Sequence, residues 1–201
     1  MSLFSTIIFD LSEVSLRGCK GVQYVLAHHL GLPAEEVADA LFGEALHNYC
    51  RGETTEDLYL ERVVRANGWH ITLPLLRAAI RQNFGTIEGT QEIITKLRRR
   101  GYRLALLSDH GREWVDYIEH KFAHHKLYDC VFYSYEIGVC KPDPRAYHYV
   151  LKKLEVAPEH CLFIDDQLQN VRAAEKLGIK SLQFMSASAL KDSLRELGVL
   201  Q

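Results

Sequence analysis

From residue 88 onward the chain alternates short strand-like and helix-like segments, and this alternation constrains the fold more than any other feature. Residues 93–100 are amphipathic and stop at Gly101, as a helix ended by a glycine just past its last turn does. Residues 103–107 read as a buried strand, 114–122 as a helix and 130–133 as a short β-rich run. Asp143 and Pro144 open the next helix as N-cap acid and first-turn proline, and it continues to residue 154. Strand 161–164, helix 168–177 stopped by Gly178, strand 181–184 and helix 189–197 complete the series. With residues 6–9 as a first strand, the pattern predicts an α/β fold: a doubly wound, parallel, five-stranded Rossmann-like sheet with helices on both faces.

Residues 16–86 break the alternation. Segments 22–30, 34–49, 56–67 and 73–84 carry 3.6-residue periodicity and no convincing strand, and Thr54-Thr55-Glu56-Asp57 looks like a capped helix start. The expected organisation is therefore a four-helix cap domain, 16–86, inserted into a core made of 1–15 and 87–201. At 201 residues the chain is long enough for both. An insertion at the carboxyl end of a strand sits over the edge where open α/β sheets bind ligands, so it is expected to act as a lid that excludes water and selects substrate.

Composition narrows the class of partner. A net charge of −2 gives no reason to expect nucleic acid or an anionic membrane surface. The one basic run, 96–100, closes a helix, where cations suit the dipole. Five scattered cysteines without a C-x-x-C pair argue for free thiols in a reducing compartment, and the lack of a signal peptide or membrane-length apolar run points to the cytoplasm. His120 and His124 have helical metal-clamp spacing but no completing ligands, and read as a solvated helix face. The sequence sets no oligomeric state.

Chemistry concentrates at strand ends. Ile7-Ile8-Phe9-Asp10 and Phe163-Ile164-Asp165-Asp166 are apolar strands that finish in carboxylates. Adjacent anions repel unless a cation, a lysine or a proton compensates them. In one parallel sheet they converge on one edge, as half of a hard-cation site. Ser108 and Lys141 follow other strand-like segments and fall at the same edge.

These residues carry a resemblance to the haloacid dehalogenase superfamily over nearly the whole chain. Phe9-Asp10-Leu11-Ser12-Glu13-Val14 is similar to its first motif, Leu107-Ser108-Asp109 to its second, Lys141-Pro142-Asp143-Pro144 to its third, and Phe163-Ile164-Asp165-Asp166 with Asn170-Val171 to its fourth. The resemblance implies a phosphatase in which Asp10 attacks phosphorus and forms an aspartyl-phosphate. It implies Mg²⁺ held by Asp10, the carbonyl of Ser12 and Asp166, with Asp165 either a further ligand or the partner that orients Lys141. It implies Lys141 as the catalytic cation, with Ser108, Asp109 and Lys141 around the phosphate. The expected substrate is a small phosphorylated metabolite.

Two positions depart from the family pattern. Ser12 stands where its phosphatases carry an aspartate that protonates the leaving group, help worth roughly 10²- to 10⁴-fold. Asp109 stands where asparagine is common, and Asp109 or Glu13 is a candidate replacement acid. Two alternatives follow: a catalytically impaired protein that binds a phospho-ligand or partner, and a metal-independent 2-haloacid dehalogenase, against which the Asp165-Asp166 pair argues. Arg17, Tyr49 and Arg51 are candidate substrate contacts by position and polarity, with a solvated surface position the better reading of each.

Overall fold

The computed structural model describes residues 3–201. The chain opens with β1 (Thr6–Phe9) and β2 (Leu16–Arg17), then five helices: α1 (Val22–Leu30), α2 (Ala34–Leu41), α3 (Glu44–Cys50), α4 (Glu56–Asn67) and α5 (Leu73–Asn83). It continues through β3 (Gly85–Thr86), α6 (Thr90–Arg99), β4 (Arg103–Ser108), α7 (Arg112–Phe122), β5 (Cys130–Tyr133), α8 (Ser134–Ile137) and α9 (Pro144–Leu154). The last elements are β6 (Cys161–Asp165), α10 (Leu168–Glu175), β7 (Lys180–Gln183) and α11 (Ala187–Glu196).

Five strands form one parallel sheet in the order β5-β4-β1-β6-β7, as the alternation predicts. Its strands are apolar throughout because both faces are covered. Successive side chains point to opposite faces. Ile7 and Phe9 therefore pack in the layer that holds Ile93, Leu97, Trp114, Ile118 and Leu194, while Ile8 packs with Tyr147, Val150 and Ala174. Full burial of each such side chain contributes about 1.5–3 kcal/mol. Phe9 lies abreast of Leu106 on one side and Ile164 on the other, so the residues after β1, β4 and β6 meet at one edge. The chain lays down β4 and β5 on one side of β1, then β6 and β7 on the other, and that reversal is where open α/β sheets bind ligands.

Between β1 and β4 the structure corrects two expectations. The segment expected as one helix over 34–49 is two helices, making five rather than four. α2 ends at Leu41 and is capped by Phe42, whose N–H bonds Ala38 O at 2.8 Å, and Gly43 is extended at φ −85° and ψ −161°. Apolar spacing runs through the break because Leu41 and Tyr49 enter the same core. The region also holds two strands: β2 and β3 pair antiparallel, Leu16 with Thr86 and Arg17 with Gly85. At two residues each they are too short to show a period of two in the sequence.

The helices share one continuous hydrophobic cluster with the sheet layer that contains Trp114. Tyr49 stacks on Tyr59 with ring centroids 5.4 Å apart, and Trp114 meets Tyr49 edge-on at 5.1 Å. Glu56, buried, accepts from Trp114 Nε1 at 2.9 Å, Arg77 Nε at 3.0 Å and Arg81 at 2.8 Å. Gly111, the N-cap of α7, has no side chain to satisfy the first-turn N–H groups. Tyr49 does so across the interface, its Oη accepting from Trp114 N at 3.2 Å. A Cβ on Gly111 would fall 2.1 Å from the Tyr49 ring, so only glycine admits this approach.

A third correction concerns His124. α7 stops at Phe122 because Ala123 is left-handed, at φ 48°. His124 then starts a 3₁₀ turn, His124–Leu127, and is fully buried against Tyr128, whereas His120 is exposed. The two histidines share no helix face, and neither ring nitrogen of His124 has a hydrogen-bond partner.

Candidate active site

Asp10 follows the last residue of β1, its N–H bonding Ile164 O of β6 at 2.8 Å. The chain then turns at once: the Leu16 N–H and the Ser15 hydroxyl reach back to Leu11 O and Asp10 O, and Glu13 is left-handed at φ 58°. Lys141, from the loop before α9, extends to the same edge. Its Nζ donates to Asp10 Oδ1 at 2.7 Å, Asp165 Oδ2 at 2.8 Å and the Leu107 carbonyl at 3.1 Å. All three ionic side chains are almost wholly shielded from solvent. Burial opposes the charge on Lys141, but Asp10, Asp165 and Asp109 outweigh it and hold the ammonium well above its ordinary range. Burial pushes the Asp10 carboxyl up, against the pull of Lys141.

The adjacent acids differ in their bonding. Asp165 Oδ1 accepts from Gln167 N at 2.8 Å and Asn170 Nδ2 at 3.1 Å, and its Oδ2 takes Asn170 Nδ2 as well as Lys141. Asp166 Oδ1 is buried with no partner. Burial, with the Asp165 anion beside it, pushes the Asp166 carboxyl up to about 6. Carboxylate oxygens of Asp10, Asp165 and Asp166 lie within 4.8 Å of one another. Three acids against one ammonium, with one oxygen unfilled, fit a hard divalent cation such as Mg²⁺.

Ser12 points elsewhere. Its Oγ is 3.1 Å from Nε2 of His110, whose Nδ1 is 2.6 Å from Ser108 Oγ. His110 is buried, and its N–H bonds Ser134 Oγ at 3.1 Å, a hydroxyl that also donates to Cys50 O at 2.6 Å. Burial lowers the imidazole pKa to about 3, with Lys141 adding to the effect, so the ring is neutral at pH 7. A Cβ on Gly18 would meet Ser12 Oγ at 2.3 Å, so Ser12 rests on bare backbone. Sequence reasoning missed His110. Its one signal is its place, directly after Ser108-Asp109 at the end of a strand.

A cavity of about 370 Å³ opens over this edge. Asp10, Ser12, Glu13, Asp109, Lys141 and Asp166 line it, and His110 joins them. Ser108 does not, being fully buried with its hydroxyl on His110. Asp109 Oδ1 accepts from Lys141 N at 3.3 Å, and burial pushes its carboxyl up to about 6. Glu13 Oε1 accepts from Gly18 N at 2.9 Å. The three candidate substrate contacts, Arg17, Tyr49 and Arg51, do not line the cavity. Arg17 is exposed and donates to Asn83 O, and Arg51 binds Glu53 and Asn48. Tyr49 is not a surface residue: its ring is fully buried between Tyr59 and Trp114.

Comparison with known proteins agrees with this fold. Residues 4–178 match the model of the haloacid dehalogenase-like hydrolases. The flavin mononucleotide hydrolase 1 of Arabidopsis thaliana is 27% identical over 169 residues, which is 84% of this chain and 68% of that protein. The sesquiterpene phosphatase astK of Aspergillus oryzae is 29% identical over 125 residues, 61% of this chain and 64% of that one. Among solved structures, a haloacid dehalogenase family enzyme of Bacteroides thetaiotaomicron, in complex with magnesium and inorganic phosphate, superimposes with a TM-score of 0.76. It is 18% identical, covering 91% of this chain and 95% of its own, and shares the fold.

Proposed function

This chain belongs to the haloacid dehalogenase-like hydrolases, and we propose that it is a Mg²⁺-dependent phosphomonoesterase working through an aspartyl-phosphate on Asp10. The observation that carries the reading is the buried triad of Asp10, Lys141 and Asp165 beside an unfilled Asp166 oxygen. Phosphatases among the relatives, and magnesium with phosphate in a protein of the same fold, support it.

Asp10 attacks phosphorus, the ester P–O bond breaks, and water then attacks the aspartyl-phosphate to release phosphate and restore the carboxylate. Lys141 lies 2.7 Å from the Asp10 carboxylate, where it lowers the repulsion between that anion and a phosphate dianion. Asp165, with both oxygens engaged, braces the lysine. Asp10, Asp166 and the carbonyl of Ser12 are the residues that would hold Mg²⁺, which supplies charge neutralisation at the phosphoryl group. Ser108 acts through His110 by fixing the imidazole that lines the cavity. A metal-independent dehalogenase would use Asp10 as its nucleophile but has little use for the Asp165-Asp166 pair beside it, which weighs against that reading.

Hydrolysis of p-nitrophenyl phosphate, measured with Mg²⁺ and with EDTA, tests the reading. Wild type should turn over only with the metal, and Asp10→Asn should lose about 10³-fold or more. Halide release from a 2-haloacid in EDTA, or no turnover by wild type under any condition, would overturn it.

A further inference from the structure

Above the carboxylates the cavity changes character. It is lined there by Phe42, Leu46 and Cys50 from the inserted segment and by Trp114 of the sheet domain. Cys19 and the exposed cation Lys20 complete that side. Two of these residues are aromatic, and the carboxamide that lines the cavity, Gln167, stands next to Asp166 with its Oε1 already accepting from Gln169 Nε2 at 3.0 Å.

The chemistry at the leaving group points the same way. Ser12 Oγ lies 3.1 Å from His110 Nε2, and a serine hydroxyl is far too weak an acid to protonate a departing alkoxide. The two other carboxylates at hand are engaged: Glu13 accepts the Gly18 N–H and Asp109 the Lys141 N–H. A leaving group stable as an anion departs from this site without the acid that Ser12 cannot supply.

Resting on the phosphatase reading, we propose that the substrates are aryl phosphomonoesters: a phosphate on an acidic, phenol-type hydroxyl, its ring held between Phe42, Leu46 and Trp114. Asp10 bonds to phosphorus as the P–O(aryl) bond breaks, and the bonding pair leaves on the phenolate. Water then cleaves the aspartyl-phosphate, and its surplus proton reaches the phenolate through solvent. No oxidant or second substrate is needed.

The test is a series of substituted phenyl phosphates beside glycerol phosphate, assayed with Mg²⁺, together with calorimetric binding of phenylphosphonate and methylphosphonate. In wild type, kcat/KM should fall steeply as leaving-group pKa rises, and Ser12→Asp should flatten that slope by raising the poor esters roughly 10²- to 10⁴-fold. Phe42→Ser and, separately, Leu46→Asn should raise KM for phenyl esters about tenfold while the inhibition constant of inorganic phosphate stays put, which also shows that each variant is folded. Phenylphosphonate should bind more tightly than methylphosphonate. A flat slope in wild type, or glycerol phosphate turned over as well as phenyl phosphate, overturns this inference and leaves the phosphatase reading standing. Failure of both wild type and Ser12→Asp to hydrolyse any ester in the series overturns the phosphatase reading and this inference with it.

Discussion

Lys141 Nζ stands 2.8 Å from Asp165 Oδ2, and that carboxylate has no oxygen left for anything else. Asp166, next in sequence and identical in chemistry, keeps a buried oxygen without a partner. Sequence alone leaves the two interchangeable; the hydrogen bonds separate them.

Their substitutions should therefore diverge. On the proposed reading Asp166→Asn removes a metal ligand and should weaken Mg²⁺ binding by more than about tenfold. Asp165→Asn loosens the lysine and should lower kcat by at least as much, with Mg²⁺ affinity changing less. Calorimetric Mg²⁺ titration beside steady-state kinetics reads both, and equal effects on metal affinity would refute the division of labour.

Metal binding should depend on pH with a definite sign. Asp166 titrates at about 6 against an ordinary 3.8, so the folded chain binds the extra proton across that window. Its contribution to stability is present in full below the unfolded value and is lost as pH rises through about 6. Mg²⁺ competes with that proton. The rise in Tm on adding Mg²⁺ should be larger at pH 7 than at pH 5, as thermal unfolding at the two pH values will show.

Glu56 ties Arg77, Arg81 and the Trp114 indole together from a buried position. Glu56→Ala strips Arg81 and an indole N–H of their acceptor and leaves Arg77 with Asp57 alone, and should cost about 3–5 kcal/mol in denaturant unfolding. A loss under 1 kcal/mol would mean that solvent already serves those donors.

His124 supplies a pH effect independent of the metal. Burial lowers its pKa from 6.5 to about 4, only partly opposed by Glu119. The neutral ring's contribution is present above 6.5 and is lost as pH falls toward 4, at most about 3 kcal/mol. His124→Phe, which also removes two unpartnered nitrogens, should flatten the stability profile between those limits. An unchanged slope in urea titrations at pH 6.5 and 4.5 would contradict it.

Strand ends were the legible part of this chain. Asp10, Lys141, Asp165 and Asp166 each follow an apolar run or motif, and the parallel sheet carries them to one edge without further instruction. His110 was hidden because its role lies in two side-chain contacts, one of them with a residue 98 positions away, that leave no period or spacing. The break at Gly43 was masked by apolar positions that serve a common core on both sides of it. Tyr49 read as a polar surface residue, but its hydroxyl needs only one partner, and the end of α7 supplies it.

Trp114 belongs to two structures at once. Its ring lines the cavity, its Nε1 is held by Glu56 and its backbone N–H by Tyr49, both from the inserted helices. Selection for a new substrate at this wall therefore acts on a residue that also keeps the two parts of the chain joined. Lineages that diversify should vary Phe42 and Leu46, which line the same space without those hydrogen bonds, and leave the indole in place.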